Sequence, residues 1–84
     1  MSIKRIVFVI LLSIAFTFAI SPQEFQNKYI GKSQSEIIRD FGKPNKEVYG
    51  SWHYKIKVDD YGTVIFHFTQ KNGVYVVSEI SIFR

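Results

Sequence analysis

The second half of the sequence alternates between apolar and polar residues, and this period of two constrains the fold more than any other feature. Two turn clusters, at 59–62 and at 71–73, divide the alternating stretch into three segments that begin near Val48. This pattern predicts a three-stranded antiparallel meander with one apolar face and one mixed face. The even-numbered positions form the apolar face, with Ser78 as their one polar member: Trp52, Tyr54, Ile56, Val58, Val64, Phe66, Phe68, Val74, Val76, Ile80 and Ile82.

Two short helices are predicted ahead of the sheet, and each begins at a recognisable cap. A serine stands three residues before a glutamate in both, Ser21 with Glu24 and Ser33 with Glu36, which is the pattern of a capping box. The first helix is predicted over 22–29, and Gly42 followed by Pro44 ends the second. Their apolar stripes carry Phe25, Tyr29, Ile37, Ile38 and Phe41. Because a bare apolar sheet face needs a cover, the predicted fold is α+β, with both helices on one face of the meander (ααβββ).

The first 19 residues have the composition of a secretory signal peptide. Lys4 and Arg5 form a positively charged start, and an apolar run follows over 6–20. In Thr17-Phe18-Ala19, small residues occupy the −3 and −1 positions of a cleavage site. Cleavage is therefore predicted after Ala19. The predicted organisation is a signal peptide over 1–19 and one domain over 20–84, periplasmic or secreted. The alternative is an uncleaved membrane anchor, although a spanning helix needs about 20 apolar residues. Membrane association is otherwise expected only through a partner.

The charge and the cysteine content exclude several classes of protein. The formal net charge of +4 falls to +2 when Lys4 and Arg5 are removed, so no nucleic-acid partner is predicted. The chain has no cysteine, so an exported domain of this size depends on its hydrophobic core, on a partner, or on both. Aromatic residues make up 17% of the sequence and can fill such a core.

Several short segments, in the same order, resemble the SmpA/OmlA (BamE-like) family of small bacterial envelope proteins. The segments are Tyr29-Ile30-Gly31-Lys32-Ser33, Phe41-Gly42-Lys43-Pro44, Trp52-His53-Tyr54, Phe66-His67-Phe68, the turn Asn72-Gly73 and the final Val-Ile strand. The resemblance implies an α-α-β-β-β fold and a place in the envelope, often in outer-membrane protein assembly. Most members carry an acylated cysteine after the signal peptide, and this chain has none, so it resembles a non-lipidated member. The same fold also occurs in secreted inhibitors of β-lactamase.

The odd-numbered face of the predicted sheet offers a candidate surface for binding a partner protein. Ile65, Tyr75 and Val77 are its apolar members, and Lys55 and Lys57 flank them. Apolar anchors inside a charged rim are typical of protein interfaces, and Tyr75 is the predicted hot spot. The alternative is that these are single exposed apolar residues of the ordinary kind. A free sheet edge is a further candidate, since it can accept a partner strand.

Two histidines on adjacent predicted strands raise the question of a metal. His53 and His67 share the odd-numbered face, and Asp59 or Asp60 could supply a third ligand. No recognisable ligand spacing supports that site, so neither a metal nor another cofactor is predicted, and the histidines are expected to face solvent.

No combination of residues in the sequence is spaced for catalysis, so the chain is predicted not to be an enzyme. The predicted function is a small exported envelope protein that binds another protein, with a role in outer-membrane protein assembly. Two alternatives remain open. One is a secreted inhibitor or ligand-binding module on the same scaffold, and the other is a weak metal binder that uses His53 and His67.

Overall fold

The two helices form where the caps place them, in a computed structural model that describes residues 16–84. Helix α1 spans Pro22–Tyr29 and helix α2 spans Gln34–Phe41. In both caps the serine hydroxyl accepts a hydrogen bond from the glutamate backbone N–H at 3.2 Å, and the glutamate carboxylate accepts one from the serine N–H. The hydrogen bonds from Ser33 hold the pKa of Glu36 below its ordinary value. Both capping boxes are therefore confirmed.

Within residues 16–84 the strands form two sheets instead of the predicted single meander. They are β1 (Phe16–Phe18), β2 (Lys46–Val48), β3 (Ser51–Tyr54), β4 (Ile56–Val58), β5 (Thr63–Lys71) and β6 (Val74–Phe83). An antiparallel sheet of four strands has the order β2-β3-β5-β6, and β1 pairs with β4 in a parallel sheet of two. The fold is α+β, but the prediction of a three-stranded ααβββ arrangement is wrong.

The first predicted strand, from near Val48 to Val58, divides at Lys55. The Lys55 backbone N–H donates to the Asn45 side-chain oxygen at 2.9 Å instead of to a neighbouring strand. Asn45 in turn donates its own N–H to the carbonyl of His53 at 2.8 Å. These bonds hold the chain at the end of β3, and β4 then leaves the main sheet and pairs with β1.

Strand β1 lies within the segment that was predicted to be a signal peptide. Its residue Phe18 and the following Ile20 are half-buried and pack against the core. Residues 1–15, which carry the rest of that predicted segment, lie outside the described part of the chain. The packed unit therefore begins before Ile20, the boundary predicted for the domain, while removal of a leader stays a prediction. Within residues 16–84, neither helix has the length and apolar character needed to cross a membrane.

A β-bulge at Ser78 reverses the faces of the first half of β6. His67 pairs with Glu79 and Phe68 pairs with Val77, so Ser78 has no opposite residue. Its hydroxyl donates instead to the carbonyl of His67 at 3.2 Å. Because one extra residue changes the face of every side chain beyond it, Val77 is buried and Val74 is exposed. The prediction that Val74 and Val76 belong to the apolar face is wrong.

The core is a cluster of aromatic rings between the helices and the main sheet. Phe25 and Phe66 are completely buried, and their ring centroids are 6.2 Å apart. Other members are Tyr29, Ile37, Phe41, Tyr54, Ile56, Val58, Val64, Val77 and Ile80. Burial on the even-numbered side of β3, β4 and β5 confirms the predicted apolar face of those strands, whereas β4 does not pair with β5.

The two buried tyrosines make the stability of the domain sensitive to alkaline pH. Burial raises the pKa of Tyr54 to about 12, and burial together with Asp40 raises that of Tyr29 to about 12. The unfolded chain ionises its tyrosines near pH 10, earlier than the folded one, so folding loses stability as the pH rises from 10 through 12. We expect the urea midpoint to be flat from pH 8 to 9 and to fall above pH 10.

A matched variant isolates the contribution of Tyr54, whose hydroxyl donates to the carbonyl of Gly42 at 2.7 Å. Tyr54→Phe removes this bond and should cost about 1 kcal/mol at pH 8. It should also make the decline above pH 10 shallower, because one of the two titrating groups is gone. Equal slopes in the two proteins would show that Tyr54 does not resist ionisation in the folded state.

Candidate functional site

The helices cover only part of the apolar face of the main sheet. Each helix has 8 residues, or about 12 Å of length, whereas β5 has 9 residues and extends about 30 Å. Ser33, the N-cap of α2, bridges Val76 on β6, so the hairpin end of the sheet projects past the start of α2. An open cleft of about 640 Å³ lies there, and we call it the aromatic cleft. Its lining consists of Gln34, Glu47, Tyr49, Gly50, Ser51, Trp52, His67, Phe68 and Tyr75.

The centre of the aromatic cleft is a pair of rings that belong to the even-numbered face. Trp52 and Phe68 meet edge to face with their centroids 4.8 Å apart. Both are half-buried and pack against the core, so their positions are fixed by the fold. Trp52 was predicted as a core residue, and it serves as the boundary between the core and the cleft.

Tyr75 reaches the aromatic cleft because of the bulge at Ser78. Strand positions alternate, so Tyr75 shares the face of Val77, which points into the core. Tyr75 is 50% exposed, in contrast to the 1% of Val77, because neither of the two described helices, α1 and α2, covers this end of the sheet. Its predicted location on the odd-numbered face beside Ile65 is therefore wrong, but its side chain is available to a partner.

Tyr49 stands at the edge of the aromatic cleft in an unfavourable backbone conformation. It forms with Gly50 the two-residue turn between β2 and β3, and their φ values are +50° and +83°. Positive φ at both positions is the pattern of a type I′ turn, which favours asparagine or glycine at the first of them. Tyrosine is rarely found at this position. The side chain of Tyr49 is fully exposed, so it contributes no buried surface to the stability of the fold.

Among the residues that the structure describes, Glu47 on β2 is the one lining residue of the aromatic cleft with a formal charge. Gln34 contributes an amide at the first position of α2. His67 borders the cleft, but its imidazole points to the other face of the sheet, where its Nδ1 lies 2.8 Å from Ser51 Oγ and its Nε2 lies 2.9 Å from Ser81 Oγ. The cleft thus combines several aromatic rings with an acidic side chain.

The structure separates the five residues that were predicted to form a partner-binding patch. Val77 is 1% exposed and belongs to the core, so its assignment to a surface is wrong. Ile65 is half-buried and pairs with His53 and Ser81. Lys55 lies at the break after β3, and Lys57 is exposed on β4. Tyr75 alone of the five lines the aromatic cleft.

The two histidines do not form a recognisable metal site. His53 pairs with Ile65, so it lies diagonally to His67 and not directly opposite it. Both ring nitrogens of His67 already have hydroxyl partners. Within residues 16–84 no three histidine, cysteine, aspartate or glutamate side chains are grouped to hold a metal ion. His53 lines instead a second cleft of about 400 Å³ with Lys46, Lys55 and other residues.

The two edges of the main sheet differ in their access to a partner strand. The outer edge of β6 is hydrogen-bonded at Val77 to the segment between the two helices. The N–H of Gly31 donates to the carbonyl of Val77, and the N–H of Val77 donates to the carbonyl of Lys32, both at 2.8 Å. The other edge is β2, and all three of its residues are exposed. Strand β2 is therefore an exposed edge for strand addition, and it borders the aromatic cleft through Glu47.

Comparison of the chain with protein-family models, with curated proteins and with solved structures gives no match. The candidate site therefore depends on the geometry of this chain. Tyr49, Glu47 and Phe68 were not predicted as site residues. The pair Tyr49-Gly50 carried the signal for the turn, and Ser78 in an apolar series carried the signal for the bulge.

Proposed function

We propose that this chain is a small exported envelope protein that binds another protein through the aromatic cleft. The observation that carries the proposal is Tyr49, a fully exposed aromatic side chain at a turn position that disfavours it. Backbone strain of about 1–3 kcal/mol persists where something other than folding selects the residue. Tyrosine is one of the residue types that most often act as hot spots in protein interfaces.

The lining of the cleft favours a basic side chain of the partner. Glu47 contributes a negative charge, and the faces of Trp52, Tyr49 and Tyr75 attract cations. An arginine uses both features, because its guanidinium stacks on rings and pairs with a carboxylate. We therefore take the ligand to be a loop or strand of a protein that presents arginine or lysine.

Export and a role in outer-membrane protein assembly are the finer parts of the proposal. Lys4, Arg5 and the apolar run over 6–20 support export. The assembly role depends on the sequence resemblance to the SmpA/OmlA family, and the partner is then another envelope protein.

One observation favours a secreted inhibitor as the second candidate function. The β2–β3 hairpin projects a single exposed ring, Tyr49, from a turn of two residues. Such a tip can enter the active site of an enzyme. Isolation of the partner separates the two candidates: an envelope assembly component supports the first, and a soluble enzyme whose activity falls on binding supports the second.

Replacement of Tyr49 tests the proposal because it should change stability and binding in opposite directions. Tyr49→Asn places a residue that accepts positive φ in the turn, and we expect a gain of about 1 kcal/mol in the free energy of unfolding. The same change removes the exposed ring and should weaken partner binding by about 1–3 kcal/mol. Thermal melting and titration of the purified partner measure the two effects.

The exposed residue Val74 supplies the control for this test. It lies outside the cleft lining and is 51% exposed, so Val74→Ala should leave binding nearly unchanged. A Tyr49→Asn protein that melts higher and still binds with full affinity would contradict a role for Tyr49 in recognition.

A further inference from the structure

Strand β1 is an integral part of the folded unit. Phe16, Thr17 and Phe18 pair in parallel with Ile56, Lys57 and Val58 of β4. The Phe18 carbonyl also accepts a hydrogen bond from the N–H of Asp59 at 3.2 Å. Among the strands that the structure describes, β1 is the one paired with β4.

The side chain of Phe18 completes the aromatic cluster of the core. Its ring meets that of Phe25 edge to face at 5.2 Å and that of Phe41 at 5.9 Å. The Lys28 ammonium lies 5.9 Å from the centroid of the same ring. Cleavage after Ala19 would remove this ring and leave β4 without its partner strand. For a small domain without disulfides, that loss is a large share of the total stability.

The sequence contains a second cleavage signal that leaves β1 intact. Ser13-Ile14-Ala15 places small residues at the −3 and −1 positions. The apolar run before it, Ile6 to Leu12, has seven residues and falls within the usual 7–15 of a signal peptide. A cut there makes Phe16 the first residue of the mature chain.

We propose that a signal peptidase processes this protein between Ala15 and Phe16, so that the mature chain begins with strand β1. Water adds across the peptide bond, leaving a carboxylate on Ala15 and a new amino group on Phe16. The inference depends on the export part of the proposed function and is independent of the aromatic cleft.

The mass of the exported product tests the processing site. The full chain is expressed with its own leader in a bacterial host, and the soluble envelope fraction is analysed by intact mass and N-terminal sequencing. We expect a product that begins at Phe16. A product that begins at Ile20 would overturn the inference and leave export in place, whereas an uncleaved chain in the membrane would overturn both.

Two substitutions at the competing sites sharpen the test. Ala15→Leu puts a large residue at the −1 position and should abolish the Phe16 product. Ala19→Leu changes an exposed residue in the same way at the other site and should leave that product unchanged. Loss of the product in Ala19→Leu, with normal processing of Ala15→Leu, would overturn the inference.

Thermal melting of the processed protein gives an independent readout. Phe18→Ala removes the ring that contacts Phe25 and Phe41, and Tm should fall by roughly 10 °C. Ala19→Leu is the matched control and should shift Tm little. An unchanged Tm in Phe18→Ala would show that β1 is not part of the stable unit.

Discussion

Replacement of Phe66 by alanine is expected to lower the free energy of unfolding by about 3–5 kcal/mol. The side chain has no exposed surface, and it lies at the middle of the aromatic cluster. Its ring centroid is 5.6 Å from that of Tyr54, 5.8 Å from that of Phe41 and 6.2 Å from that of Phe25. Removing it leaves a cavity that two sheets and two helices cannot close without losing other contacts. Because the domain has a net stability of only a few kcal/mol, we expect the variant to be largely unfolded at 37 °C, as measured by circular dichroism and urea titration.

The neighbouring residue His67 is the matched control because it points to the other face of β5. It is half-buried and makes two side-chain hydrogen bonds, to Ser51 and Ser81. His67→Ala should cost about 1–2 kcal/mol, clearly less than Phe66→Ala. Equal losses in the two variants would mean that the register of β5 is shifted by one residue.

Replacement of Tyr75 by alanine is expected to weaken partner binding by about 1–3 kcal/mol, or roughly 5- to 150-fold. Half of the side chain is exposed and it lines the aromatic cleft, so its loss removes contact area without opening the core. Tm should change by only a few degrees. Binding measured by calorimetry on the folded protein separates the two quantities.

Lys55, which lines the second cleft, provides a contrast in the binding experiments. It is exposed and lies outside the lining of the aromatic cleft. Lys55→Glu should therefore change the association rate and its salt dependence more than the dissociation rate. A larger loss of affinity in Lys55→Glu than in Tyr75→Ala would place the binding surface near the second cleft, beside His53.

The helices and the apolar face of the central strands could be predicted because their signals are local. A capping box needs a serine and a glutamate three residues apart, and both boxes formed with the expected bonds. The alternation through β3, β4 and β5 has period two and is independent of what packs elsewhere. These features place Phe25, Phe41 and Phe66 in the core without knowledge of the tertiary structure.

The parts that were predicted wrongly depend on how the strands pair, which the alternation of apolar and polar residues does not specify. The loop at 71–73 was read as three residues, but Lys71 pairs with Val74 and the turn consists of Asn72 and Gly73 alone. Strand β2 has three exposed residues and therefore shows no alternation. The pairing of β1 with β4 joins residues about 40 positions apart, and an apolar leader masks its signal.

The candidate site was missed for the same reason. Its geometry depends on the bulge at Ser78, which moves Tyr75 to the face of Trp52 and Phe68. A polar residue within an apolar series indicates a possible irregularity, but pairing with β5 decides which residue is extra. The helix lengths then decide how much of that face stays open.

Site-specific cross-linking in living cells tests most directly whether the aromatic cleft is the binding surface. A photoreactive amino acid replaces Tyr49 at the edge of the cleft in one protein and Ile65 on the opposite face of the sheet in another. The account predicts one cross-linked partner from position 49, none from position 65, and loss of the cross-link when Tyr75→Ala is added. A cross-link from position 65 alone, or none from position 49 in a folded and exported protein, would contradict it.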